Sequence, residues 1–452
     1  MPSRIDHHDQ LELSKAQVLL KKYDVSDNGF LPEGIPLDRL PDPLYAPWED
    51  ILSQLPTLLK RKTIRRSIDN LDVISVQKLD TEGEWRRAYV VLSFLAHGYI
   101  WGGDKPSEIL PAAVSVPYIQ VSEHLELPPV ATYAALNLWN FTSSRNDFTD
   151  LNSLKALHTF SGTEDESWFF CLSVAMERQG AYIIPIMLDA IEGIQRKDYQ
   201  TVADSLDTLR DCIEKLSRLI ERMHERCDPM VFYHQIRPYL AGSRNMEHAG
   251  LTNGVFYEEG DGKGSWRRLR GGSNGQSSLI QFFDVVLGVE HNSSGNAGQQ
   301  SRDASTGRDG KPVGFHEEVR SYMPEPHRRF LQHVSRMDSL RDFALRSAVS
   351  DEQRRVRQSF QAATTALAEF RSKHMQMVTR YIIVPSRRQG ETGSVNLATA
   401  STRASSGKGA GAGLTGTGGT ALIPFLRQTR DETLQAGMGP SNSVIDERQI
   451  TA

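Results

Sequence analysis

The chain is poor in the patterns by which chemistry is most often read from sequence. Its 452 residues include three cysteines, Cys171, Cys212 and Cys227, with no CxxC pairing. That excludes a disulfide framework and a cysteine zinc site of ordinary spacing, and a reducing, cytoplasmic setting is expected. No apolar run reaches about 18 residues, so no membrane span is expected. The first residues, MPSRIDHHDQLELSK, lack the apolar stretch of a secretory signal. There is no GxxxxGK[ST] phosphate loop, no GxSxG elbow and no His-Glu-x-x-His, so P-loop, serine-hydrolase and HExxH zinc chemistry have no support. Gly411, Gly413 and Gly416 match GxGxxG, but no strand precedes them and no helix follows at once. Net charge is -4, which gives no general attraction to nucleic acid or to an anionic membrane.

What is present points to helices. At 39% hydrophobic the chain can bury a large core. Val202, Leu206, Leu209, Ile213, Leu216, Ile220 and Met223 repeat at three and four, which predicts a core-facing helix over 202–226. Helical patterns also run over 60–70, 84–99 and 128–141. A long apolar helix is expected over Trp168–Ile194, kinked at Pro185. Residues 24–60, rich in proline, read as an extended arm wrapped on a surface, with short helices between. Three polar, glycine-rich stretches, 258–275, 292–314 and 386–420, interrupt the second half, and the last reads as a mobile loop. The segment GGSNGQSSLIQFFDVVLG (271–288) passes from small residues to an apolar run, as a tight loop entering a buried helix does. Its glycines would let the backbone approach a planar ligand. Few segments alternate strictly enough for strands. The expected fold is mainly α: a large all-helical domain from about residue 161, after a boundary near 152–161, with a smaller mixed domain before it.

One residue breaks an otherwise apolar pattern. Phe360, Ala363, Leu367, Phe370, Met377 and Tyr381 lie on one helix face, and His374 fills the remaining slot. A histidine there needs a partner, because an unpaired buried ring nitrogen is costly. The partner is either a protein group or a metal. With no second histidine one turn on, a single-histidine metal site points to haem, where one imidazole suffices. Arg371, one turn earlier, could offset a haem propionate.

Taken together, GGSNGQSSLIQFFDVVLG, RSYMPEPHRRFL (320–331), RSKHMQMVTRYIIVP and the late GTGGT resemble the indoleamine 2,3-dioxygenase family, in a fungal form. Their order and rough spacing match too. LELPPVATYAALNLWNF (125–141) and CDPMVFYHQIRPYLAG (227–242) add two more matches, so the resemblance runs from about residue 40 to the end, apart from the glycine-rich insertions. It implies haem b, ferrous in the active form, and insertion of O2 across the indole C2–C3 bond of L-tryptophan to give N-formylkynurenine, toward NAD synthesis. An electron donor would keep the haem ferrous. By the same resemblance His374 is the proximal iron ligand, and Arg371 and Asp284 brace its helix beside a propionate. Tyr133, Phe169 and Ser173 line the distal pocket, Phe232 packs on the indole, and Arg237 holds the substrate carboxylate. Gly272 and Ser273 lie beside the haem. Thr417, Gly418, Gly419 and Thr420 form a loop that closes over the amino acid, and residues 1–160 cover the distal side of the haem bound by 161–452. Asn274 and Tyr233 depart from the vertebrate pattern, which has alanine and phenylalanine there. A haem-based O2 carrier or sensor, and a low-affinity paralogue of the dioxygenase, stay open as alternatives.

Overall fold

The computed structural model describes residues 15–291, 315–387, 416 and 422–438. Helices dominate. In chain order they are α1 (Lys15–Lys22), α2 (Ala46–Ser53), α3 (Leu55–Lys60), α4 (Ile64–Asp69), α5 (Glu82–Trp101), α6 (Ala112–His124), α7 (Glu164–Gln179), α8 (Ile183–Arg196), α9 (Tyr199–Glu221), α10 (Ser278–Val286), α11 (Phe315–Arg320), α12 (Glu325–Val334), α13 (Leu340–Leu345), α14 (Asp351–Val378) and α15 (Leu422–Ala436). Two small sheets complete the fold: β1 (Ile109–Leu110), parallel to β4 (Val255–Gly260), which pairs antiparallel with β5 (Lys263–Arg267); and β2 (Phe141–Ser143) antiparallel with β3 (Leu154–Ala156). Among the described residues no helix is long and apolar enough to cross a membrane.

The helix starts follow from local chemistry. Thr81 opens α5 by accepting from the Glu84 N–H, and Thr163 opens α7 by accepting from Glu166. Ser350 and Gln353 form a reciprocal capping box at α14. That helix then runs 28 residues, about 42 Å, packed along α9 and α15. Every residue of the α9 stripe from Val202 to Met223 is buried, although α9 itself ends at Glu221 and Met223 sits in a following 3₁₀ turn.

Two apolar cores result. One gathers residues between Leu31 and Ala175 with Phe232, Tyr233, Ile236 and Tyr381. The other is built from α8, α9, α10, α12 and α14. The proline-rich segment is not a surface wrapping: Phe30, Leu31, Tyr45 and Trp48 are fully buried, and Glu49 forms a buried ion pair with Arg87 at 2.5 Å. The short helices expected there form, with prolines in their first turns. The predicted kink at Pro185 is a break. The chain leaves α7 at Gly180, where a Cβ would lie 2.3 Å from Leu279, and Pro185 occupies the first turn of α8. Within 258–275, the stretch read as a polar interruption, β4 and β5 form a hairpin; positive-φ Gly260, Asp261 and Gly262 turn it. Residues 128–141 contain only one turn of helix, and it is a wide one.

That turn recurs. At Ala134–Leu138, Phe232–Ile236 and Thr379–Ile383 the backbone closes π turns, with i→i−5 bonds from Trp139 N–H to Ala134 O, Arg237 N–H to Phe232 O and Val384 N–H to Thr379 O. Such turns are rare and concentrate at functional sites. All three border one cavity.

Candidate functional site

The cavity measures about 250 Å³ and lies between α7, α14, α15, the 271–277 loop and the 232–240 segment. Nine of the ten sequence-identified site residues within the described regions line it: His374, Arg371, Arg237, Phe232, Tyr133, Phe169, Ser173, Ser273 and Gly272. Asp284 stands behind Arg371. Thr417 and Gly418, with Gly419 and Thr420, lie outside the described residues; Gly416 is on the wall. Of the two departures noted in the sequence, Asn274 lines the cavity, whereas Tyr233 is fully buried in the core behind it.

His374 projects from α14 among Phe370, Met377 and Val378 on the same wall. Burial, then the neighbouring Arg371 cation, push its imidazole down to about 4. It is therefore neutral near pH 7 and keeps a nitrogen lone pair. Its side chain is half-buried and, among the described residues, makes no hydrogen bond. A helix that buries the stripe from Phe360 to Phe370 thus turns one unsatisfied imidazole toward open space.

Arg371 is held firmly. It donates two hydrogen bonds to Asp284, at 2.6 and 2.8 Å, and another to Thr433 of α15. Burial alone would raise the Asp284 carboxyl. The Arg371 guanidinium overcomes that and holds it well below the usual carboxylate range. His291 lies 3.2 Å from Asp284 Oδ2 through Nε2 and 2.8 Å from Glu432 Oε2 through Nδ1.

On the opposite wall Phe232 meets Phe169 edge to face at 5.0 Å and Tyr381 at 5.7 Å. These contacts leave an aromatic slot. Arg237 is 1% exposed, and burial pulls its guanidinium down to about 10, so it stays charged at neutral pH. In an α-helix residues five apart differ by about 140° around the axis. The π turn at 232–236 brings Phe232 and Arg237 back toward one face, so both reach the cavity. His97 anchors this arrangement. The Ala131 N–H donates to its Nε2 at 3.0 Å, which leaves Nδ1–H to donate to Tyr239 O at 2.7 Å. One neutral imidazole so ties the Tyr133 segment to the Arg237 segment.

The 271–277 loop is fixed by packing. A Cβ on Gly271 would lie 2.0 Å from Leu240 O, and one on Gly272 would lie 2.5 Å from the Leu136 side chain. The glycines are required by protein neighbours, not only by an approaching ligand. Gln276 accepts from the Tyr133 N–H at 2.8 Å and donates to Gly271 O at 3.0 Å.

Sequence reading passed over Glu177. It lies one turn after Ser173 on α7, lines the cavity and is buried. Its Oε1 accepts from Tyr133 Oη at 3.0 Å and from Ser277 Oγ at 2.6 Å, whereas Oε2 has no partner among the described residues. Burial raises its carboxyl from 4.5 to about 7. An acid raised in the folded state favours folding less as pH climbs from its unfolded to its folded value. Glu177→Gln is expected to remove that slope, so its stability relative to the wild type should rise between pH 4.5 and 7 by up to about 3 kcal/mol. Denaturant midpoints across that range provide the check; a constant offset would sink the assignment. His291, His316, Phe315 and Phe425 were also missed. Phe315 and His316 are adjacent, but they meet His291 and Phe425 only through the packing of α11, α15 and the segment after α10.

Comparison with known proteins bears on this geometry. The family described as "Indoleamine 2,3-dioxygenase" matches residues 19–436. An indoleamine 2,3-dioxygenase of Aspergillus nanangensis is 41% identical, covering 94% of this chain and 98% of the relative. The indoleamine 2,3-dioxygenase of Saccharomyces cerevisiae is 38% identical, covering 92% and 93%. A 6-hydroxytryptophan 2,3-dioxygenase of Fusarium equiseti is 35% identical, covering 92% and 97%.

Proposed function

Because the chain belongs to the indoleamine 2,3-dioxygenase family, and is thereby a dioxygenase and an oxidoreductase, we propose that it binds haem through His374 and opens the indole ring of L-tryptophan with O2. The observation that carries this reading is the meeting of an unpartnered neutral imidazole, an aromatic slot and a buried arginine in one cavity. The fit to haem is chemical. A single axial nitrogen suffices for haem, the walls beside His374 are apolar, and Arg371 stands one turn away to face a carboxylate. No cysteine lines the cavity, so imidazole rather than thiolate is the available axial donor.

Bound haem supplies the O2 chemistry, and the protein supplies binding, orientation and a dry site. His374 would hold the group from α14. Arg371, clamped by Asp284, fixes that helix one turn before the ligand. Phe169, Phe232 and Tyr133 form the surface against which an indole packs. Burying an aromatic of roughly 150–250 Å² contributes roughly 4–6 kcal/mol before ordering costs. Arg237 receives the amino-acid carboxylate through two parallel N–H donors. Ser173 Oγ, on the cavity wall one turn before Glu177, is placed to hydrogen-bond the ligand and need not move a proton, since the electron-rich indole is itself oxidised.

The relative that acts on 6-hydroxytryptophan sets the test. Purified protein with reductant and O2 is expected to form N-formylkynurenine from L-tryptophan, with a higher kcat/KM than for 6-hydroxytryptophan. Product only from the hydroxylated substrate would reassign the substrate, and none from either, despite full haem loading, would return the O2-carrier reading.

A further inference from the structure

At the edge of the cavity, where His316 is part of the wall, Asp284, His291 and His316 bring three ligand atoms within 4.8 Å of one another. His291 lies between two carboxylate oxygens, with Nδ1 2.8 Å from Glu432 Oε2 and Nε2 3.2 Å from Asp284 Oδ2. A neutral ring can donate to only one of them; with Nδ1–H given to Glu432, Nε2 sets a lone pair against the Asp284 oxygen. Two acceptors at that distance need a cation between them. The spacing suits a metal: bond lengths of 2.0–2.2 Å at a tetrahedral ion separate adjacent ligand atoms by about 3.3 Å. A carboxylate holding the far nitrogen of a ligating imidazole is also the usual support of such sites.

His316 supplies an independent observation. Its Nε2 is buried and has no hydrogen-bond partner among the described residues. The ring is stacked on His291 at 3.8 Å, with Phe425 on a neighbouring face at 5.4 Å. A buried imidazole without a partner costs free energy. Turning it toward Asp284 Oδ2 and His291 Nε2 closes the last edges from at most 4.8 Å to the tetrahedral spacing.

The charges allow this. Arg371 and Arg320 are answered by Asp284, Glu432 and Glu317, which leaves one net negative charge beside the two imidazoles. Asp284 keeps Oδ1 on Arg371 at 2.6 Å. Its Oδ2 has lone-pair capacity for both Arg371 and a cation. We propose that Asp284, His291 and His316 form a structural divalent-metal site, suited by its two imidazoles and one carboxylate to zinc, with Glu432 orienting His291. The ion would join α10, the segment after it and α11, and through Glu432 secure α15 beside the helix that carries His374. This site adjoins the proposed haem cavity through His316 and Arg371 but does not depend on the haem reading.

The experiment is dialysis of the full-length protein against micromolar zinc, followed by counting zinc and iron per chain by mass spectrometry. One zinc per chain is expected, whatever the iron content. Low iron with full zinc would weaken the haem reading alone. His316→Leu and His291→Leu should each weaken zinc binding by more than about 100-fold, and Glu432→Gln by about 10–100-fold. Zinc X-ray absorption of the unmodified protein should give two imidazoles and oxygen at about 2.0–2.2 Å, a readout independent of whether the variants fold. No retained zinc would overturn the site and leave a shared proton as the cation between His291 and Asp284. A thiolate or fully aquated zinc spectrum would overturn it as well.

Discussion

Replacing His374 by alanine should reduce haem retention, and with it product formation, to background, while α14 persists. The helix does not depend on this side chain. Its buried stripe from Phe360 to Phe370 packs into the second core, its start is capped by Ser350 and Gln353, and Arg371 fastens its far end to Asp284 and Thr433. His374 contributes only a half-buried ring facing the cavity, without a hydrogen bond to any described residue. The substitution therefore removes a ligand without breaking a contact on which the fold relies. Soret absorbance reports the first effect and far-ultraviolet circular dichroism the second. Added imidazole should occupy the space left behind and restore the Soret band. An alanine variant that keeps full haem and full turnover would remove His374 from the site.

Arg237→Lys should raise KM for L-tryptophan by about 10–100-fold with the haem spectrum unchanged. A guanidinium presents two parallel donors to a carboxylate, and an ammonium cannot reproduce that fork. Each charge-assisted bond is worth roughly 1.5–3 kcal/mol, and about 1.4 kcal/mol is a factor of ten. Arg237 is fully buried, so solvent screening does not dilute the loss. Charge is kept by the substitution, which separates geometry from electrostatics. Esters and amides of tryptophan, which lack the carboxylate, should lose far less. An unchanged KM would place the carboxylate elsewhere.

Both predictions start from residues legible in the sequence, and the reasons differ. His374 stood out because a 3.6-residue period exposes one polar intruder among apolar neighbours. That argument is local and needs no fold. Arg237 has no such period; it was found only through the resemblance of CDPMVFYHQIRPYLAG to a known family. The α9 stripe and the loop-to-helix passage at 271–288 were readable because burial imposes a repeat. The short helices expected in 24–60 are there, but the surface placement was wrong: proline density suggests an exposed chain, whereas here proline opens helices whose Tyr45 and Trp48 fill the core. Glu177 left no trace in sequence: a glutamate one turn beyond a serine is ordinary until Tyr133 and Ser277 close on it. The Asp284, His291 and His316 group is likewise a product of tertiary packing, with residues 292–314 between its two histidines.

The three π turns make the cavity depend on backbone winding as well as on side-chain identity. Each π turn holds one residue more than the α turn it interrupts. Deleting a single residue within 233–236 would leave Phe232, Arg237 and every other wall residue in the chain. It would restore α geometry there, yet Arg237, now four residues after Phe232, would stay about 40° from it around the axis; tightening the turn to α with all its residues kept would instead carry Arg237 to about 140°. Function at this site can thus survive a one-residue deletion within the turn and be lost by a substitution that rewinds it without altering any residue on the wall.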